Sequence, residues 1–244
     1  MSFVVSMLAG SMALAADRQT LVWDLSINGQ QVGRRSLVIK HVPTDEGVRR
    51  ILELWTEVDG QVGASRVNYR QRLTAHAVGR SRAAFQSVVE ENGSAREIQG
   101  RETPTGWMVT LIQDGRERTQ MVPLERIQLS TVDLLDPSTT WTLARFDALR
   151  MLSAETGDVA GGEVSSQGMG SHPVGGASIP VTTYHWEGPQ GRSVFSFSTD
   201  GYLVHSETPM LGLTVSATLS QPPPGGPDDF PVALWPAAVE VLPL

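Results

Sequence analysis

The chain contains no cysteine. That excludes disulfides, thiolate metal sites, cysteine nucleophiles and a lipid-modified cysteine, while leaving the redox character of the compartment open. Charge is sparse too. Only 18% of the 244 residues are Asp, Glu, Lys or Arg, and 19 basic against 26 acidic side chains leave a net charge of −7. General binding to nucleic acid needs a strong positive field over the contact face, so that role is excluded. Long apolar runs are also missing. The stretch near the N-terminus is shorter than the roughly 20 apolar residues of a membrane-crossing helix, and no later segment spans a membrane. Hydrophobic residues still make up 40% of the chain, enough for a folded core without staples.

That N-terminal stretch carries the compartment signal. Residues from Phe3 to Ala15 are uncharged, and Ala13-Leu14-Ala15 has the small-x-small form of a signal-peptidase site. The Lys or Arg that usually precedes such a run is absent. We expect residues 1–16 to act as an export signal, residues 17–220 to form the folded domain and residues 221–244 to be a proline-rich tail. The mature protein is then periplasmic or secreted.

The body reads as strands cut by turn dipeptides. Leu21, Trp23, Leu25 and Ile27 alternate with Val22, Asp24 and Ser26, and Asn28-Gly29 follows at once. Both turn residues tolerate positive φ, the strongest short signal for a hairpin. A two-residue turn sets Arg34 opposite Trp23, yet Leu37 and Ile39 have the other parity. One extra residue near Gly33 repairs the mismatch, because a bulge flips every later side chain. Asp59-Gly60, Asn92-Gly93, Asp114-Gly115 and Asp200-Gly201 repeat the punctuation. Between the later turns lie short runs at 107–113, 116–123, 179–187, 192–198, 202–208 and 213–219. The expected fold is all-β, an antiparallel meander forming an open or spiral half-barrel.

Two segments break the rhythm. Residues 124–147 include Ser130-Thr131-Val132-Asp133-Leu134-Leu135-Asp136-Pro137, expected as one short helix or a loop across the barrel mouth. Proline stops a helix there, since the residue before it avoids the α region. Residues 168–176 are rich in glycine and expected as a second loop.

Trp23–Ile27 with Asn28-Gly29 and Val32-Gly33, then Tyr69-Arg70, Thr156-Gly157-Asp158 and Asp200-Gly201-Tyr202-Leu203-Val204 occur in this order. The order resembles a group of uncharacterised bacterial periplasmic β-barrel proteins, similar in architecture to lipoprotein carriers and to cell-envelope integrity proteins. The resemblance spans most of residues 20–219 and implies a curved antiparallel sheet wrapped into an open barrel. The envelope-integrity proteins carry a disulfide, and a chain without cysteine departs from them there.

Candidate chemistry centres on arginine. Arg66, Arg70 and Arg72 share parity with His76 on one strand, so they project to one side of the sheet. Guanidinium forks match carboxylate, phosphate or lipid headgroups. The competing reading is a solvated ladder with Glu53, Glu57, Glu90 and Glu97. The five histidines lack zinc-ligand spacing, so no metal or other cofactor is expected. No catalytic residue can be assigned. Gly170-Ser171-His172 lacks the Gly-x-Ser-x-Gly elbow, and Asp133 and Asp136 sit where acids cap turns. Enzyme activity is left open. The leading expectation is a non-catalytic envelope protein binding a lipid or other amphiphile, or an envelope partner protein. The alternatives are a periplasmic hydrolase using segments 124–147 and 168–176, and a structural interaction module offering a sheet edge.

Overall fold

The computed structural model describes residues 17–223 except 46, 63–64, 79–80, 140–142, 144 and 211. The export signal expected at 1–16, and all of the expected tail beyond residue 223, lie outside the described residues.

The turn dipeptides do what their chemistry allows. Asn28-Gly29, Asn92-Gly93 and Asp114-Gly115 all adopt positive φ at both positions, the backbone of a tight turn whose twist matches paired strands. The first arm of the sheet contains β1 (Asp17–Ile27), β2 (Gln30–Thr44), β3 (Gly47–Val62) and β4 (Ser65–Val78). It continues through β5 (Ser81–Glu91), β6 (Ser94–Thr103), β7 (Gly106–Gln113) and β8 (Arg116–Pro123). The second arm starts with β9 (Leu129–Ser130), β10 (Ala148–Leu152) and the long β11 (Val159–Val174). It ends with β12 (Ala177–Gly188), β13 (Gly191–Ser198), β14 (Leu203–Met210) and β15 (Leu213–Leu219).

All these strands form one sheet, ordered 8-7-6-5-4-3-2-1-15-14-13-12-11-10-9. Every neighbouring pair is antiparallel except the short parallel contact of β9 with β10. β1 joins the arms through β15, from Trp23 opposite Leu219 to Ile27 opposite Val215. β8 and β9 are the two edges and do not pair, so the sheet stays open. The expected all-β, open-barrel class is the class found.

One face holds the core. On β1, Leu21, Trp23, Leu25 and Ile27 are buried while Val22, Asp24 and Ser26 are half-buried. Leu37 and Ile39 of β2, Leu52 and Leu54 of β3, and Leu73 of β4 follow across the sheet. Each such side chain contributes about 1.5–3 kcal/mol when fully buried. The bulge expected near Gly33 is present. Leu25 pairs with Gly33 and Ser26 with Gln31, leaving Val32 as the extra residue. Trp23 therefore faces Arg35, not Arg34.

The segment between β8 and β11 lies against this inner face. Its described residues hold no α-helix; they form a 3-10 turn at Leu124–Arg126, a run of turns from Thr131 and further 3-10 backbone at Leu143 and Arg145. Ile127, Leu129, Val132, Leu134, Leu143 and Leu152 are buried in the core. Asp136 is anchored to Arg50 of β3 at 2.9 Å. Arg96 Nε of β6 donates to the Glu155 carbonyl at 2.8 Å, and Gln120 Nε2 of β8 to the Gly157 carbonyl at 3.1 Å. The segment between β8 and β11 is thus strapped to three strands of the first arm, and the expected loop at 124–147 supplies the tie from Asp136.

The glycine-rich segment 168–176 differs from expectation. β11 continues to Val174, with Met169 opposite Thr182 and Ser171 opposite Pro180, and only the turn at Gly175-Gly176 is loop. Ladder bonds come from the backbone, so weak side-chain preference does not prevent pairing. A bulge at Ser166/Gly168 moves the rest of β11 to the opposite parity. There His172 stacks on His205 of β14 with ring centroids 4.4 Å apart.

Candidate functional site

The arginines singled out from sequence lie on the outer face. Arg66, Arg70, Arg72 and His76 are all exposed on β4. Arg70 Nε donates to Glu57 at 3.2 Å and Arg66 pairs with Asp59 at 3.4 Å. These are the cross-strand ladder contacts of a solvated sheet face, worth little each. Arg72 is placed differently. Its guanidinium carbon lies 4.9 Å from the ring centroid of Trp55, which is 39% exposed, with exposed Val88 across the next strand.

A second polar group sits on the inner face, where composition gives no hint of it. The bulge in β2 turns Arg35 inward beside Leu37, in a cross-strand row that runs Trp23, Arg35, Thr56, Gln71, Val89 and Arg96. Thr56 is fully buried and Gln71 nearly so. Arg35 Nε donates to Thr56 Oγ1 at 3.2 Å, and Gln71 Nε2 donates to Ser87 Oγ at 3.1 Å. Tyr69 stands in the next row, opposite Val58 and Glu91.

Ion pairing within this group is uneven. Arg96 places both Nη atoms 3.0 Å from Glu91 Oε2. Glu155 Oε2 accepts from the Thr131 and Ser153 hydroxyls, each at 3.0 Å. Arg35 has no carboxylate within 4 Å among the described residues, yet keeps some accessible surface. Burial pulls its guanidinium below the ordinary pKa, and nearby Glu155 opposes that. Burial and the Glu155 charge push the Tyr69 hydroxyl well above the usual phenol range, so it stays protonated. Among the described residues the Tyr69 hydroxyl and Gln71 Oε1 are buried with no hydrogen-bond partner, although buried polar atoms are nearly always bonded. A signal for Arg35 was present: once the bulge is accepted, Arg35 shares parity with Leu37 and Ile39.

The inner face of the second arm is apolar and incompletely covered. Phe195 and Trp186 are buried, while Val164, Tyr184, Met210 and Leu213 remain half-buried against the core. Tyr184, Phe195, Ser206, Ala217, Leu25 and Gly33 form one row across the seam, beside the row of Arg35.

The other sequence candidates resolve into local structure. Asp133 Oδ2 accepts from Ser130 N and Oγ at 2.6 and 2.8 Å, and Asp136 Oδ1 from Ser138 N and Oγ at 3.0 and 2.6 Å. Both acids fasten turns. The cavity beside them, bordered by His76, Phe85 and Trp107, measures only about 20 Å³, room for a water and little else. His185 and His205 share the outer face but are separately engaged, His185 with Arg192 and His205 with Thr218 and Glu207. Among the described residues no group of three or more His, Cys, Asp or Glu is arranged to hold a metal ion.

These features define an open β-barrel-like protein with one polar cluster on each face. No protein-family model and no curated protein matches the chain. Among solved structures, it is similar to a β-barrel-like protein of a domain of unknown function, DUF1849, from Brucella abortus. The TM-score is 0.55 at 12% identity, over 84% of this chain and 96% of that one. At that identity the likeness is one of fold alone. No helix among the described residues is long and apolar enough to cross a membrane.

Proposed function

We propose that this is an exported, non-catalytic binding protein of the bacterial cell envelope, taking an amphipathic ligand along the inner face of its open sheet. The carrying observation is the partly accessible Arg35 set among apolar side chains of an unclosed barrel. An apolar tail fits against Val164, Tyr184, Met210 and Leu213, which are only half-buried. Small closed barrels fill their interior with side chains, whereas a larger sheet left open keeps a flank for a ligand. Export is supported by the apolar run ending in Ala13-Leu14-Ala15. Native mass spectrometry of protein purified from its own envelope fraction tests both parts. A co-purifying lipid and a chain beginning at Ala16 or Asp17 are expected. A ligand-free chain starting at Met1 in the cytoplasm refutes them.

A second reading rests on Trp55 and Arg72. Exposed tryptophan and arginine in contact are typical anchors of protein interfaces, and the surrounding Arg66, Arg70 and His76 would receive an acidic partner surface. Replacing Arg70 and Arg72 with glutamine separates the readings. Loss of an envelope partner from the double variant, with lipid still bound, selects the outer face. Retained partner binding retires it, and stability should change by less than about 1 kcal/mol either way.

A further inference from the structure

The inner polar cluster has more hydrogen-bonding capacity than its own residues use. Nε of Arg35 is committed to Thr56, and among the described residues the guanidinium Nη atoms make no hydrogen bond or ion pair. The Tyr69 hydroxyl and Gln71 Oε1 are likewise unused, on residues only 2% and 1% exposed. All three groups lie on the inner face of β2 and β4, the strands on either side of β3, with Arg35 and Gln71 flanking Thr56 in one row and Tyr69 two residues from Gln71 on β4. Glu91 is occupied by Arg96, and one oxygen of Glu155 by two hydroxyls.

We infer that Arg35, Tyr69 and Gln71 form the polar subsite of the ligand. They would receive a headgroup that carries an acidic oxygen next to a hydroxyl or amine, as phosphoglycerol and phosphoethanolamine do. The oxyanion sits against the Arg35 fork and accepts from the Tyr69 hydroxyl. The neighbouring hydroxyl or amine donates to Gln71 Oε1. Glu155, close enough to act on Arg35 and Tyr69, disfavours a bare multiply charged anion and favours a headgroup with a donor of its own. This assignment rests on the inner-face reading above, and it moves the acid-binding arginine from the outer face to the inner one.

The test uses a short-chain phosphatidylglycerol below its micelle threshold, with an uncharged detergent of equal chain length as comparison, by titration calorimetry. The parent should bind the phosphatidylglycerol about tenfold or more tightly than the detergent. Arg35→Met should erase that preference. Tyr69→Phe should weaken phosphatidylglycerol binding about three- to tenfold while leaving detergent binding and the melting temperature unchanged or higher, because it deletes a buried unpaired hydroxyl. Should Arg35→Met not fold, Tyr69→Phe and Gln71→Leu carry the test. If the parent binds both amphiphiles and neither variant loses phosphatidylglycerol affinity, the cluster holds water only and the subsite is refuted while amphiphile binding stands. If the parent binds neither amphiphile, the inner-face reading falls and the subsite with it.

Discussion

Removing Asp136 probes whether the inner segment is held by a buried ion pair. Its Oδ2 lies 2.9 Å from Arg50 Nε, with side-chain exposures of 6% and 14%, and its Oδ1 fastens the turn through Ser138. Asp136→Ala takes away the pair and both turn bonds, and deprives Arg50 of this carboxylate on the inner face. Breaking a buried pair on one side costs about 3–5 kcal/mol. The residual exposure of Arg50 lets water repay part of that, so about 3–4 kcal/mol is expected. In a domain of this size each kcal/mol lowers Tm by about 2–4 °C, giving a drop of about 6–16 °C in scanning calorimetry. Asp136→Asn keeps an acceptor for Ser138 and should lose about half as much. Replacing both partners by apolar residues, Arg50→Met with Asp136→Leu, should recover much of the stability, because no charge is then stranded. A loss below about 1 kcal/mol for Asp136→Ala, or a double variant as unstable as the two single changes summed, refutes the anchoring argument.

Two further predictions follow from packing and titration. At Gly100 an added Cβ would lie 2.2 Å from the Phe85 ring, so Gly100→Ala should cost about 1–3 kcal/mol by overpacking; an unchanged urea midpoint would show that the ring moves freely. Burial holds the His205 imidazole below its ordinary 6.5, against the opposing Glu207, and His172 is lowered by burial and by His205. The folded state then binds fewer protons than the unfolded chain, so this contribution is complete above that ordinary value and is lost as pH falls below it. Tm should fall between about pH 7 and pH 5, and His172→Asn should flatten the fall by removing the depressed titration of His172 itself; superimposable pH profiles for parent and variant contradict this.

Much of the fold was legible because it is local. The run expected at 116–123 is β8, and that at 213–219 is β15, residue for residue. The bulge at Val32 was legible from parity alone, since Leu37 and Ile39 cannot reach the core without it. Residues 168–176 were misread because glycine content signals a loop, whereas their pairing with β12 is set by backbone bonds. The inner polar cluster was harder to see. Arg35 comes from β2 and Tyr69 and Gln71 from β4, and only the register puts them on one face. The outer arginines stood out in sequence because one strand carries them all, and surface ladders concentrate charge in that way. The pairing of β1 with β15 has no local signature.

That seam has a consequence for how the chain acquires its fold. Reading across the sheet from β9 to β15 and on through β1 to β8, each strand's neighbour is also its neighbour in sequence, except at the seam. Ser220 N bonds the Val22 carbonyl, so the end of the second arm lies within a short linker of the start of the first. A circular permutant opened between Pro123 and Leu129, with residue 220 joined to residue 17, would be a simple meander with no distant pairing. The seam then becomes local, while the ties of the inner segment to β3, β6 and β8 become the distant contacts that set the contact order. In the natural order β1 must wait with one edge bare until nearly 200 residues later β15 arrives, which makes the interval before its arrival the period of greatest exposure to misassembly.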